Sequence, residues 1–509
     1  MLADGIVFLT PQTLSRLRAY SPRARRALRL PTMSHEPPTS HAAPQTEHQT
    51  HSFIEELRWR GLLAQVTHEA ELAKHLHTGV RSAYVGYDPT ADSLTIGNLV
   101  TIMLLIHFQR HGHEPVVVMG GGTGLIGDPS GKSAERQLLT EEIVRANVEK
   151  QRPIFERLFA NTARQDGRPV KVPAIVNNID WLGKLGFLEA LRDVGKYFSV
   201  NMMIQRDSVR ERLQNREQGI SYTEFSYMLL QSYDYLSLFE AKNVTLQMGG
   251  SDQWGNIISG CDLISRKFQG RFDTHEYADL LDSGNAERAI QMRTDAHGIQ
   301  SYGLTAPLIT KADGGKFGKT ETGAIWLTPE RTSPYAYYQF WLNSSDADMS
   351  KFLRIFTLLS QDRIKAIEED HAKDPGQRLA QRELARAATA LLHGPEAVEQ
   401  AEAAAKALFS GDVAHLSPAT LAEVLASVPS SSFSKERLAA PGVPCIDLLI
   451  ETKLATSKRE AREFLAAGSV TINGRKVGVE DHVTASDLLH GTTMAIRRGK
   501  KSWYVAKWE

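Results

Sequence analysis

The stretch "YVGYDPTADSLTIGNLV" (84–100) decides how the chain folds. It reads as a buried strand, a turn at Pro89-Thr90, and a helix whose first turn holds Gly97 and Asn98. The first N–H groups of a helix have no partner within it, and the helix dipole adds positive potential there. A strand feeding such a start is a ready anion site. Thr90, Thr95 and Asn98 supply neutral donors, and Gly97 removes a Cβ, so a ligand can lie against the backbone. An ordinary capped helix after a turn has the same pattern, and the neighbouring segments have to decide between the two.

Those neighbours repeat the theme. "SAYVGY" (82–87), "EPVVVMG" (114–120), "VKVPAIVNN" (170–178) and "VTLQMGG" (244–250) are short apolar runs separated by helical patterns. Buried strands alternating with helices imply a parallel sheet, so the fold class is α/β. Helical periodicity starts near Phe53, and residues 270–300 are polar, Asp-rich and aperiodic, as in a surface insertion. From 332 to 426 the pattern is helical and Ala-rich. Residues 427–444 read as a linker, and 445–509 as a compact unit of their own. There is no internal repeat.

Composition narrows the function. The 509 residues carry a formal net charge of zero and are 42% hydrophobic. Nucleic acid must therefore be met by a local patch, not by the field of the whole molecule. Cys261 and Cys445 are the only cysteines, which excludes a disulfide scaffold or a Cys-based zinc site and suits a reducing compartment. No apolar run reaches the roughly 18 residues that span a bilayer, so a soluble protein is expected. In residues 1–32, Arg16, Arg18, Arg23, Arg25, Arg26 and Arg29 are opposed only by Asp4. That resembles a transit peptide followed by an unstructured linker, with an over-long start before Met33 as the alternative. The expected location is cytoplasmic, or mitochondrial if residues 1–32 are a real transit peptide.

Four further segments carry candidate chemistry. "VVVMGGGTGLIGDPSGKSAER" (116–136) is a glycine-rich loop after a strand. It is not a P-loop, because its glycines lie too close together, and no GxGxxG opens a helix. Asp128 suits a cation there, and Lys132 and Arg136 suit phosphates. "SYMLLQSYDYL" (226–236) places Tyr227, Gln231 and Asp234 on one helix face. "QMGGSDQWGN" (247–256) follows another strand, with Gly250 open to a ligand and Asp252 placed to accept from a ribose hydroxyl. "KADGGKFGKTETG" (311–323) sets Lys316 and Lys319 among glycines, as in a loop that closes over a polyphosphate. Taken singly, each is equally a solvated turn or helix face.

All of these in order on one chain resemble the bacterial-type tyrosyl-tRNA synthetases, a class I family. The resemblance runs from about residue 53 to the end, outside the 270–300 insertion. "PTADSLTIGN" (89–98) is similar to the first class signature, His-Ile-Gly-His, and "KFGKT" (316–320) to the second, the Lys-Met-Ser-Lys-Ser loop. "GLIGDPSGK", "FSYMLLQSYD" and "GGSDQWGN" are tyrosyl-specific. The resemblance implies a Rossmann-like nucleotide-binding catalytic domain (53–331), an all-α domain that meets the anticodon region (332–426), and a small α+β RNA-binding domain (445–509). It also implies a tyrosine pocket with Tyr84 and Asp234 on the phenol oxygen. Tyr227, Gln231 and Asp128 hold the ammonium, with Gln253 near the carboxylate. Asp252 takes the ribose, and Thr90, Lys132, Arg136, Lys316, Lys319 and Thr320 serve the polyphosphate. Thr95 and Asn98 stand where the family has its two histidines, and Val85 where some members have a cysteine that touches the ribose.

The implied activity is adenylation of tyrosine by ATP with Mg²⁺, then transfer to the terminal ribose of tRNA. A synthetase-like RNA-binding factor with impaired chemistry is the alternative, resting on the altered first signature. In the tail, Lys458, Arg459, Arg462, Arg497, Arg498, Lys500 and Lys501 form a basic set suited to RNA phosphates. A homodimer is implied as well, with Phe198, Val200, Met202, Met203 and Tyr222 as its candidate apolar surface.

Overall fold

The computed structural model describes residues 51–128, 138–167, 172–206, 209–210, 213–214, 219–269, 301–315, 317–320, 323–426, 428–499 and 502–509. The N-terminal fifty residues, the 270–300 insertion, Lys132, Arg136, Lys316, Lys500 and Lys501 lie outside them, as do the side chains of Lys319 and Thr320.

Six strands form the main sheet: β1 (Gln65–Val66), β2 (Ser82–Tyr87), β3 (Glu114–Met119), β4 (Ala174–Asn177), β5 (Val244–Gly250) and β6 (Tyr302–Ala306). Their order is β1-β6-β5-β2-β3-β4, parallel except for the antiparallel β1–β6 pair. The apolar runs account for this. Val116, Val117 and Val118 are buried on both faces, as a central parallel strand requires. Helix Ile96–Arg110 follows β2 and is buried almost all round, which its unbroken apolar sequence permits. Helix Tyr222–Lys242 starts at Ser221, whose side chain accepts from Glu224 N, and stops at Asn243 in the left-handed region. From β2 the chain adds β3 and β4 on one side, then β5 and β6 on the other. The crevice between β2 and β5, at the carboxyl ends of the strands, is where such a sheet binds ligands.

Helices Pro334–Leu342, Met349–Phe356, Gln361–Lys373, Leu379–His393 and Pro395–Ser410 follow. Their buried faces join one core with the main sheet, including Trp341, Phe352, Phe356, Leu384 and Leu392. The tail builds a five-stranded sheet from Arg475–Lys476, Val470–Ile472, Thr493–Arg498, Ser502–Trp508 and Ser430–Phe433, in that order. Met494 and Ile496 pack with helices Cys445–Glu451 and Lys458–Ala466, while Ala495 packs with Ala404, Val413 and Leu421. Both faces of that sheet are thus covered.

One expectation changes here. The 427–444 stretch contains strand Ser430–Phe433, which pairs in parallel with Ser502–Trp508, and Val443–Pro444, which pairs with His482–Val483. It is part of the C-terminal unit and not a linker. Serine-rich composition hid it: the strand is a half-exposed edge whose partner comes about seventy residues later in the chain.

Candidate active site

The carboxyl end of β2 delivers Asp88, Pro89 and Thr90, and the end of β5 delivers Gly250, Asp252 and Gln253. Tyr84 lies lower on β2, in register with Val116 of β3 and Gln247 of β5. It is buried, and its hydroxyl has no hydrogen-bond partner. Asp234, buried on helix Tyr222–Lys242, faces the same space. Burial pushes the Asp234 carboxyl up to about 7. Two donors oppose that shift: Asn178 Nδ2 donates to Oδ2 at 2.9 Å and Trp181 Nε1 to Oδ1 at 2.7 Å. Burial, with Asp234 adding to it, holds the Tyr84 hydroxyl well above its ordinary pKa, so it is a neutral donor.

A polar chain links this end of the site to the other. Asn178 Nδ2 also donates to Thr123 Oγ1 at 2.9 Å, and Thr123 Oγ1 donates to Asp88 Oδ1 at 2.7 Å. Tyr227 donates its hydroxyl to Asp88 Oδ2 at 2.9 Å. Gln253 Nε2 donates to Asp128 Oδ2 at 2.6 Å, and Asn256 Nδ2 donates to Gln253 Oε1 at 3.2 Å. The Gln231 carbonyl oxygen is buried without a partner. Carboxylates Asp88 and Asp128 beside two neutral carbonyl or hydroxyl groups suit an ammonium. The closed end, with an unpaired phenol donor and a carboxylate acceptor, suits a hydroxyl that both donates and accepts.

The glycine run has a different task from the one its composition suggests. Gly121 N donates to Asn177 Oδ1 at 3.1 Å and Gly122 N to Asn178 Oδ1 at 2.7 Å, so these N–H groups are not free for a phosphate. A Cβ at Gly120 would lie 2.3 Å from Asp88 Oδ1, and one at Gly121 would lie 2.1 Å from Asn177 Oδ1. The glycines let the chain's own polar side chains approach the backbone and build the network above.

At the mouth of the site the stretches 94–97 and 317–327 are stitched together. Ile96 N donates to Ile325 O at 2.9 Å and Leu327 N to Leu94 O at 2.8 Å, with Thr95 bridged to Trp326. Gly318, at φ +78°, passes so close to Ile96 that a Cβ would meet its Cγ2 at 2.4 Å. Phe317 packs its ring among Phe340, Trp341, Phe352 and Phe356, stacking on the last at 4.9 Å. Lys319–Thr320 then pairs with Gly323–Ala324 as a short hairpin. The "PTAD" turn is held from behind: Asn147 Nδ2 donates to Pro89 O at 2.9 Å and Gln151 Nε2 to Ala91 O at 2.8 Å. Thr90 and Gly97 remain exposed at the mouth, Asp252 beside them at the end of β5.

In the tail, Lys458, Arg459 and Arg462 lie exposed on helix Lys458–Ala466, Lys458 paired with Asp447 and Arg459 with Glu463. Arg497 and Arg498 are half-buried and engaged in packing. Arg497 lies over the Trp503 ring and against Gly411, while Arg498 donates to Leu454 O at 2.6 Å and covers Phe464. As neighbours on one strand they project to opposite faces, so they do not belong to one phosphate patch. Of the apolar residues expected at a dimer surface, Met203 is buried in its own subunit with Val209 and Met228, whereas Val200 is 57% and Tyr222 64% exposed.

Asp88, Thr123, Asn178 and Trp181 join the site in addition to the residues that the sequence motifs point to. Asp88 stands in the opening stretch, directly after the strand, where a signal was available. The others meet the pocket only through tertiary closure.

Comparison with known proteins identifies the family. Residues 77–410 match the family described as tRNA synthetases class I (W and Y), and residues 420–506 match the tyrosine–tRNA ligase SYY-like C-terminal domain. The tyrosine–tRNA ligase of Aliivibrio fischeri is 45% identical over 462 residues, covering 90% of this chain and 99% of that protein. That of Geobacillus stearothermophilus is 44% identical over 457 residues, with 90% and 99% covered. Among solved structures, a C-terminally truncated mitochondrial tyrosyl-tRNA synthetase of Aspergillus nidulans superimposes with a TM-score of 0.60 at 29% identity, covering 71% of this chain and 96% of that one. The chain belongs to the bacterial-type tyrosyl-tRNA synthetases, enzymes that join tyrosine to its tRNA.

Proposed function

We propose that the residues divide the two steps of tyrosine–tRNA ligation as follows. L-Tyrosine enters with its phenol between Tyr84 and Asp234 and its ammonium among Asp128, Tyr227, Gln231 and Asp88. Its carboxylate lies by Gln253. ATP, arriving with Mg²⁺ on its phosphates, places its ribose by Asp252 and Gly250 and its phosphates at the helix start, near Thr90, Gly97 and Asn98. Magnesium usually keeps waters and substrate phosphates as ligands, so it is part of this substrate. A tyrosine carboxylate oxygen bonds to the α-phosphorus while the bond to the bridging oxygen breaks and pyrophosphate leaves. A carboxylate needs no general base for this, so catalysis rests on positioning and on charge stabilisation by Lys132, Arg136, Lys316, Lys319 and Thr320. The terminal ribose hydroxyl of tRNA then attacks the carbonyl carbon and AMP departs.

One observation carries the amino-acid assignment: a buried carboxylate and an unpartnered buried phenol share the closed end of the pocket. Phenylalanine would leave the buried Tyr84 hydroxyl without a partner and the remaining acceptor capacity of Asp234 unused. A site built to bond a substrate hydroxyl rejects the analogue lacking it by about 10⁴–10⁵-fold, a range for which tyrosyl-tRNA synthetases are themselves the reference case. ATP–pyrophosphate exchange measured over the twenty amino acids tests it. Exchange with tyrosine alone is expected. No exchange with any amino acid would favour an RNA-binding factor without synthetase chemistry.

In this reading residues 53–331 carry the chemistry, 332–426 reach toward the anticodon region, and 427–509 hold RNA. Exposed Arg459 and Arg462 are the best-placed phosphate contacts. Reversing both to glutamate should lower tRNA charging at moderate salt and spare pyrophosphate exchange. The working form is a homodimer, and the exposed Phe187, Leu188, Val200, Ile204 and Tyr222 are its apolar face. A monomeric mass for active protein by light scattering would refute that. Among the described residues no helix is long and apolar enough to cross a membrane; the proposed location is the cytoplasm, or the mitochondrion if residues 1–32 direct it there.

A further inference from the structure

Thr95 and Asn98, which replace the two histidines of the first signature, bond to each other. Thr95 N donates to Asn98 Oδ1 at 3.0 Å, and Thr95 Oγ1 donates to the same oxygen at 3.0 Å. A backbone N–H can only donate, so the amide must present its carbonyl oxygen to Thr95. That settles the orientation of the Asn98 amide on chemical grounds. Its amino group is turned away from Thr95 and has no acceptor among the described residues. The hydroxyl proton of Thr95, by contrast, is already committed. The Thr95 main chain is fixed as well: it is bridged to Trp326, and its neighbours Leu94 and Ile96 bond to Leu327 and Ile325.

We propose that Thr95 is a positioning residue and not a phosphate ligand: it locks the Asn98 amide so that Nδ2 is the group that donates to the phosphates of ATP. The pair restores with two short neutral side chains what a single free asparagine would lack. An amide held in place before the phosphate arrives loses less freedom on binding and is aimed from the outset. Because Thr95 is also tied to the strand after the lysine loop, the aim of Asn98 is referenced to both signatures at once. This rests on the proposed placement of the phosphates at the start of helix Ile96–Arg110.

The test is epistasis in ATP–pyrophosphate exchange by the full-length chain, with tyrosine saturating and ATP varied. Four variants suffice: Thr95→Val, Thr95→Ser, Asn98→Ala, and Thr95→Val combined with Asn98→Ala. Thr95→Val keeps the shape and loses the hydroxyl, and is expected to lower kcat/KM for ATP by about tenfold, the usual weight of one hydrogen bond. Thr95→Ser should recover most of that loss. Asn98→Ala should cost more than Thr95→Val, and the double variant no more than Asn98→Ala alone. The KM for tyrosine should stay level throughout, which a general loosening of the helix start would not allow. Multiplicative losses in the double variant would overturn the proposal, since Thr95 would then act on the nucleotide by itself. So would a Thr95→Ser variant as impaired as Thr95→Val. A silent Asn98→Ala would remove the underlying phosphate site as well, and so is distinct from either.

Discussion

The two ends of the proposed adenylate site are built by opposite means. At the phenol end, Trp181, Asp234, Asn178, Thr123, Asp88 and Tyr227 form one continuous hydrogen-bonded chain, drawn from β2, the loop after β3, the end of β4 and a long helix. At the proposed phosphate end the described groups sit at the surface: a helix start with exposed Thr90 and Gly97, and beside it the Lys319–Thr320 hairpin, whose flanking residues are tied to Leu94 and Ile96 through backbone bonds. The difference follows from the two tasks. Choosing tyrosine over phenylalanine needs a dry, fixed pair of polar groups whose desolvation has already been met by folding. Stabilising a departing pyrophosphate needs donors whose contacts strengthen as charge develops.

If that division is real, changes at one end leave the parameters of the other alone. The largest expected effect is at the phosphate end. Lys319→Ala should lower the exchange kcat by about 10²–10³-fold, as losing one charge-stabilising donor does. Its KM for tyrosine should stay within about twofold. A parallel rise in the tyrosine KM would mean that the ends are coupled. Asp234→Asn probes the reverse. It keeps the size of the side chain but weakens the acceptor for the phenol, and discrimination against phenylalanine should fall by about 10²-fold, the weight of a hydrogen bond to a charged group with its desolvation. The ATP KM should hold. Unaltered selectivity in exchange assays would remove Asp234 from the reading of the phenol.

The same contrast explains what could be read from the chain. The proposed phosphate end lies within short contiguous motifs, "PTADSLTIGN" and "KFGKT", and can be proposed from them directly. The strands of the main sheet are legible too, as apolar runs bounded by turns, although their order depends on crossovers that no local pattern records. The phenol end is legible in Tyr84 and Asp234 and otherwise not. Thr123, Asn178 and Trp181 touch the pocket only after β3, β4 and helix Tyr222–Lys242 have come together, and each alone is an unremarkable polar or aromatic residue. The glycine run misleads for a related reason. Glycine reports close approach to the backbone but not whether a ligand or the protein's own side chain makes it, and here Asp88 and Asn177 do. Ser430–Phe433 was hidden because a serine-rich edge strand carries no hydrophobic signal.

The smallest expected effect is the most specific to the buried network. Burial raises the Asp234 carboxyl to about 7, and the Trp181 and Asn178 donors hold it from rising further. If the ionised form is the one that accepts from the phenol, tyrosine binds best above that value. The KM for tyrosine should then rise by about tenfold between pH 8 and pH 6, since each unit below the pKa leaves about a tenth of the carboxyl ionised. Trp181→Phe removes the donor at Oδ1 and keeps the ring. With one stabilising bond to the charged form gone, the pKa moves up. The tyrosine KM at pH 7 should therefore rise about three- to tenfold, by the modest worth of one bond, and return to the wild-type value near pH 9. The pH dependence separates this from loss of packing, which would raise KM by the same factor at every pH. Asp234→Asn, having no proton to lose, should show neither the slope nor the shift. A pH-independent KM in the wild-type enzyme would mean that the carboxyl is held ionised throughout, and the buried chain from Trp181 to Tyr227 would then serve to fix its orientation alone.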